Sequence, residues 1–162
     1  MSSYLSIQNK IFTDREDLVR ELENTRKNKI VVFTNGCFDI LHKGHVSYLS
    51  RARDLGDLLV VGLNSDSSVE HLKGSGRPLN SEMNRAFVLA GLECVDYITI
   101  FSEETPEKTI EAVHPEIHTK GGDYNLEDLP EKKILDQFGS RIVLLPFEEG
   151  FSTTSIIKKA SG

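Results

Sequence analysis

The sequence predicts an α/β fold, an open parallel sheet of about five strands with helices on both faces. Three observations carry it. The runs Ile30–Thr34 and Leu58–Leu63 are apolar without alternation, the pattern of strands covered on both faces. Helical patterns separate these and the later strand runs, and strict strand–helix alternation implies parallel pairing with right-handed crossovers. A length of 162 residues suits one domain, 1–162, with an N-terminal helical extension at 1–28 and a core at 29–162.

The elements follow in order. Thr13-Asp14-Arg15-Glu16 reads as a capping box, in which side chains satisfy free backbone N–H groups, and Leu18, Val19 and Leu22 then share one helix face. After the strand at 30–34, residues 44–54 place Val46, Leu49 and Ala52 on one side, with Gly56 as a stop. The strand at 58–63 is followed by helices at 66–72 and 81–93 and a strand at Tyr97–Phe101. Thr105-Pro106-Glu107 is a helix start: a cap, a proline at the first position, then an acid. Ile117–Lys120 and Arg141–Leu145 complete the strands, and a last short helix begins near Ser152 with Ile156 and Ile157 inward. In such sheets ligands bind beyond the carboxyl ends of the strands, so function belongs after Thr34, Leu63, Phe101, Lys120 and Leu145.

Composition narrows the classes. Lys plus Arg total 19 against 25 Asp plus Glu, a net charge of −6, which excludes coating DNA or an anionic membrane through bulk charge. Apolar residues form 38% of the chain, enough for a buried core rather than wholesale disorder. Cys37 and Cys94 make no disulfide framework and favour the cytoplasm. Neither a signal peptide nor a stretch of transmembrane length is visible. An anionic ligand would require the few cations to gather at one place.

The first strand exit reads Thr34-Asn35-Gly36-Cys37-Phe38-Asp39-Ile40-Leu41-His42-Lys43-Gly44-His45. His42 and His45, three apart at a helix start, share one face, and Gly44 between them lets a bulky group approach. The helix N-terminus adds free N–H groups and partial positive charge, suited to phosphate. Two isolated histidines would more often cap and pack; at the ligand edge, after a buried strand and a glycine turn, binding is the better reading. No Cys or carboxylate at ligand spacing completes a metal shell, so no protein metal site is expected. A dinucleotide reading fails because no G-x-G-x-x-G follows Val31–Thr34, and Gly74-Ser75-Gly76-Arg77 lacks the ending of a Walker A loop.

The run Thr34–His45 resembles the HxGH signature of the cytidylyltransferase-like nucleotidyltransferases, which have Rossmann-like folds. Nearly the whole chain is similar to the adenylyltransferase domain of ADP-heptose synthases: Asn35–Asp39, Asn64-Ser65-Asp66, Lys73-Gly74, Arg77-Pro78, Lys120-Gly121-Gly122-Asp123-Tyr124 and Ser152-Thr153-Thr154. The resemblance implies transfer of AMP from ATP to D-glycero-β-D-manno-heptose 1-phosphate, with Mg²⁺ held mainly by nucleotide phosphates. In many bacteria that domain is fused to a kinase, which 162 residues cannot hold, so a stand-alone form is expected.

Site residues follow from the resemblance. His42, His45, Lys73 and Lys120 are the expected catalytic set. Nucleotide would meet Asn35, Gly36, Cys37, Phe38 and Gly44 beside the two histidines. Asn64, Arg85 and a second phosphate edge at Gly150, Ser152, Thr153 and Thr154 complete its site. The sugar phosphate would meet Asp39, Asp66, Lys73, Arg77 and the loop Lys120, Gly121, Gly122, Asp123. Read alone, Arg85 is a surface arginine, Lys73–Arg77 a solvated turn and Ser152 a cap. The family also implies a homo-oligomer, a dimer or tetramer. Two rivals stand beside this reading: a cytidylyltransferase using CTP with glycerol 3-phosphate or a related polyol phosphate, and a non-catalytic nucleotide sensor. Lys120 and Asp123-Tyr124 argue against the first, the retained histidines and Lys73 against the second.

Overall fold

Six strands form one wholly parallel sheet in the computed structural model of the chain, which describes residues 2–122, 124–146, 148 and 150–161. The strands are β1 (Ile11–Phe12), β2 (Val31–Gly36), β3 (Leu58–Asn64), β4 (Tyr97–Phe101), β5 (Ile117–Gly121) and β6 (Arg141–Leu145), in spatial order β1-β4-β3-β2-β5-β6. The helices are α1 (Ser3–Gln8), α2 (Arg15–Thr25), α3 (Lys43–Arg53), α4 (Asp66–Lys73), α5 (Glu82–Ala90), α6 (Glu107–Val113), α7 (Lys132–Phe138) and α8 (Thr153–Ser161). All seven residues of β3 are buried, as its unbroken apolar run requires.

The two faces divide the side chains of each strand. Val31 and Phe33 of β2, with Leu58 and Val60 of β3, pack against Leu18 and Leu22 of α2, Ile110 and Val113 of α6 and Leu135 of α7. Val32, Leu59, Val61 and Leu63 face Tyr48, Leu49 and Ala52 of α3 and Ala86 and Leu89 of α5. Each fully buried leucine here contributes roughly 1.5–3 kcal/mol of transfer free energy.

The sheet departs from the sequence reading in two places. The segment 1–28 is not wholly helical: Ile11 and Phe12 pair with Ile98 and Thr99, adding a sixth strand at the edge. Helix α7, preceded by a single 3₁₀ turn at Leu126–Asp128, fills the stretch between β5 and β6 to which the sequence assigns no element. The first predicted cap also moves by one residue. Asp14, not Thr13, is the N-cap of α2, its Oδ1 accepting from the Glu16 N–H at 2.8 Å. A carboxylate is the stronger acceptor and also suits the positive end of the helix dipole.

Chain order places the ligand edge. From β2 the chain runs outward to β3 and β4, then crosses back through α6 to β5 on the other side of β2. The connections out of β2 and β5 therefore diverge to opposite sides and open a crevice between the two carboxyl ends.

Candidate active site

That crevice holds a cavity of about 570 Å³, within the usual span of small-ligand sites. Its floor comes from the β2 exit and the head of α3: Asn35, Gly36, Cys37, Phe38, Asp39, His42, Gly44 and His45. Lys73 and Arg77 stand on one rim, Lys120, Gly121 and Tyr124 on another, and Ser152, Thr153 and Thr154 on a third. Three of the four cations singled out from sequence thus line one cavity with both histidines, and a net charge of −6 conceals a local cationic cleft.

His42 is the N-cap of α3 but makes no side-chain capping bond, so its ring is left for another use. The rings of His42 and His45 stack with centroids 3.8 Å apart, and the Phe38 ring meets His45 edge-on at 5.3 Å. Both Nδ1 atoms are buried without a hydrogen-bond partner among the described residues, which leaves each Nε2 to meet a ligand. Burial, then the neighbouring His42, lowers the His45 pKa to about 4, while the Ile40 backbone opposes weakly from outside hydrogen-bonding geometry. Burial lowers His42 as well. Near pH 7 the pair is therefore neutral, two polar N–H groups rather than two cations. Phe38 itself sits at φ +45°, a conformation that costs an aromatic residue on the order of 1–3 kcal/mol.

Gly44 leaves this stack its room. A Cβ there would lie 3.0 Å from His42 Nδ1 and 3.1 Å from Phe151 Cβ. Alanine raises intrinsic helix propensity by ~1 kcal/mol over glycine. At the second position of α3 this crowding offsets the propensity gain, so Gly44→Ala is expected to change the melting temperature little while lowering turnover. A variant with unchanged turnover would show that the imidazole stack tolerates displacement.

Two polar brackets hold the strained turn. The buried Asp39 carboxylate accepts from Arg77 Nε at 2.8 Å and from the Leu79 and Asn80 N–H groups at 2.9 and 3.0 Å. Against the upward push of burial, these donors keep its pKa below the usual carboxylate value. Asp39 thus anchors the 77–80 loop. The second bracket is Arg85, and it corrects the surface reading of this residue. Its side chain is completely buried, with Nε on the Asn80 carbonyl, one terminal nitrogen on the carbonyls of Cys37 (2.6 Å) and Asn64 (2.8 Å), and the other on Asp66 Oδ1 (2.7 Å). Arg85, Asn64 and Asp66 form a brace behind the wall and do not line the cavity, so the phosphate-contact expectation for Arg85 lacks a geometric basis.

The remaining residues divide similarly. Lys120 Nζ reaches Glu131 Oε1 at 2.6 Å and Asn35 Oδ1 at 3.2 Å, while Lys73 is exposed and makes no ion pair or hydrogen bond among the described residues. Ser152 caps α8 by accepting from the Ser155 N–H at 3.0 Å, and Thr153 Oγ1 donates to the Ile40 carbonyl at 3.4 Å. Gly122 and Gly150 flank the rim without lining it, and Asp123 lies outside the described residues. Burial pushes the Cys37 thiol pKa up against the pull of Lys73, Arg85 and Arg77, so it stays protonated and is no nucleophile near pH 7.

Sequence reading missed three residues. Tyr48 lies three positions after His45 on the same face of α3, a readable signal; its buried hydroxyl meets Thr34 Oγ1 at 2.7 Å and Thr119 Oγ1 at 3.0 Å. Glu148, on the cavity rim, is held by Ser47, Lys43 and Arg51 of α3. Glu131 is buried beneath Lys120.

The site also sets an acid limit. Burial keeps His42, His45 and His118 below their ordinary pKa in the folded chain, so the unfolded state binds protons first as pH falls. Their contribution to stability is complete above about pH 6.5 and declines toward pH 4. The melting temperature is expected to drop between pH 7 and 5, above the range in which most carboxylates titrate; a flat profile there would contradict neutral histidines.

Cations and helix N–H groups meet across the carboxyl edge of the sheet, and the family that this chain matches is one of nucleotidyltransferases. Residues 33–159 match the cytidylyltransferase-like family, and the chain belongs to it. The chain is 52% identical over 146 residues to the bifunctional protein HldE of Syntrophotalea carbinolica, covering 90% of this chain and 30% of that protein. It is 52% identical over 141 residues to the bifunctional protein HldE of Helicobacter pylori strain P12, covering 87% of this chain and 30% of that protein. The chain therefore spans about 30% of the length of these relatives. Among solved structures, a lipopolysaccharide core biosynthesis protein from Thermoplasma volcanium superposes with TM-score 0.62 at 30% identity, covering 74% of this chain and 97% of that one. A pantoate–β-alanine ligase from Francisella tularensis shares the fold at TM-score 0.60 and 12% identity, over 93% of this chain and 76% of that one. No helix among the described residues is long and apolar enough to cross a membrane.

Proposed function

We propose that the chain transfers AMP from ATP to D-glycero-β-D-manno-heptose 1-phosphate, giving ADP-heptose and pyrophosphate for the lipopolysaccharide core. The observation that carries this is the stacked, neutral His42–His45 pair at the head of an uncapped helix, ringed by Lys73, Arg77 and Lys120. The motif resemblance supplies the substrates, and the similar lipopolysaccharide core biosynthesis protein supports the same product.

The chemistry asks little beyond positioning. A sugar 1-phosphate oxygen is already largely ionised at neutral pH, since its second pKa is near ~6, so no general base is needed. That oxygen bonds to the α-phosphorus of ATP as the bond to the bridging oxygen breaks, and pyrophosphate leaves with the electron pair. Charge on the α-phosphate and the departing pyrophosphate is met by the Nε2–H groups of His42 and His45 and by the free N–H groups of α3. Lys73, Arg77 and Lys120 offset the charge of two polyanions brought into line. Mg²⁺ enters as part of the nucleotide substrate. Among the described residues no three potential ligands cluster, and both Asp39 oxygens are already engaged, which fits a metal carried by phosphates and water.

A cytoplasmic location and a homo-oligomer belong to the same reading. Free Cys37 and Cys94 support the first, and exposed Tyr4, Met83 and Val88 support the second. A ligand that binds only the folded state raises its melting temperature. In thermal denaturation, Mg·ATP is expected to do so more than Mg·CTP or Mg·GTP. Stabilisation by CTP alone would instead favour a cytidylyltransferase.

A further inference from the structure

Glu131 occupies the N-cap of α7, yet its carboxylate makes no capping bond to that helix. It points inward instead and is 1% exposed. A single oxygen, Oε1, takes both Lys120 Nζ at 2.6 Å and His118 Nε2 at 3.1 Å. His118 is itself fully buried between the sheet and α7, its ring stacked on Phe33 at 5.7 Å. Its Nδ1 has no partner among the described residues, and because a carboxylate only accepts, the ring carries its proton on Nε2 and donates to Glu131.

The charges balance within this group. Burial raises the Glu131 pKa, but His118 and Lys120 outweigh it and hold it at about 2. Burial, with Lys120, keeps His118 neutral. One anion therefore faces one cation. An ammonium has three N–H donors. One goes to Glu131 and one to Asn35 Oδ1, and the third has no partner among the described residues, on a lysine that lines the cavity. Lys73, also lining the cavity, has no such anchor among the described residues.

From this geometry we infer that Glu131, fixed by His118, is a positioning residue: it holds the Lys120 ammonium in place so that one N–H faces an anionic ligand in the cleft. A lysine stem otherwise samples many rotamers, and fixing it in advance removes that entropic cost from the bound state. The inference rests on the nucleotidyl-transfer reading for the identity of the ligand.

A double-mutant cycle tests it in the full chain. Glu131→Gln, Lys120→Ala and the double variant are compared with wild type in kcat/KM for the sugar 1-phosphate, by pyrophosphate release. Each single change is expected to cost roughly tenfold to a hundredfold, the range of coupling seen between contacting residues, and the double variant to be no worse than Lys120→Ala. Losses that multiply would overturn the inference, because Glu131 would then act independently of Lys120. Glu131→Asp keeps the charge and shortens the stem, whereas Glu131→Gln keeps the shape and loses the charge. Positioning through charge predicts that the aspartate variant retains more turnover; more turnover in the glutamine variant would assign Glu131 to packing alone. Should Glu131→Gln fail to fold, Glu131→Asp replaces it in the cycle. Absence of wild-type pyrophosphate release strikes the nucleotidyl-transfer reading instead, and the cycle is then read in the dissociation constant for inorganic pyrophosphate.

Discussion

His45→Ala is expected to lower turnover by roughly 10²–10³-fold, the usual cost of one preorganised donor to a developing charge. Nucleotide-induced stabilisation should change little by comparison, because triphosphate contacts are shared with the head of α3 and the cationic rims. His45 is wedged between the His42 ring at 3.8 Å and the Phe38 ring at 5.3 Å, so it cannot reorient when charge develops. Its low pKa makes it a neutral donor, and a bound polyanion would draw that pKa upward. Single-turnover kinetics beside a thermal-shift titration separate the two effects. Near-normal turnover with weakened nucleotide binding would remove His45 from transition-state stabilisation.

The second large effect is on stability. Arg85→Ala should cost about 3 kcal/mol, since it strands the buried Asn64 carbonyl, takes a partner from the half-buried bonds of Cys37 and Asn80 and opens a cavity beneath α5. Breaking the Asp66 pair adds less, because that carboxylate side chain is 44% exposed and solvated. For a domain of this size the melting temperature should fall on the order of 10 °C. Arg85→Lys discriminates further: one ammonium cannot replace the guanidinium fork, so it too should destabilise, while the nucleotide still raises its melting temperature. A lysine variant of normal stability but poor nucleotide binding would restore Arg85 as a phosphate contact.

Much of the fold and of the cleft is legible in the sequence itself. Doubly buried strands betray themselves by lacking alternation, and this places β2 and β3 and the ligand edge beyond them. The HxGH turn is legible because its glycine and histidines stand where a strand ends and a helix begins. Arg85 misleads because arginine is usually a surface residue, although its spacing to Leu89 on α5 already puts it on the buried face. Strand β1 has two residues, too few for any periodic signal, and exists through its pairing with Ile98 and Thr99. Helix α7 has seven, and the meeting of Glu131 with Lys120 and His118 depends on how that helix packs against β6 and α6. Neither local propensity nor spacing encodes such a contact.

Pyrophosphate release, measured with ATP, CTP and GTP in turn, each with and without D-glycero-β-D-manno-heptose 1-phosphate and in parallel with glycerol 3-phosphate, decides between donor and acceptor pairs. Nucleotidyl transfer from ATP to the heptose phosphate predicts release only when both are present. Release that requires CTP and glycerol 3-phosphate, or none with any pair, would contradict it.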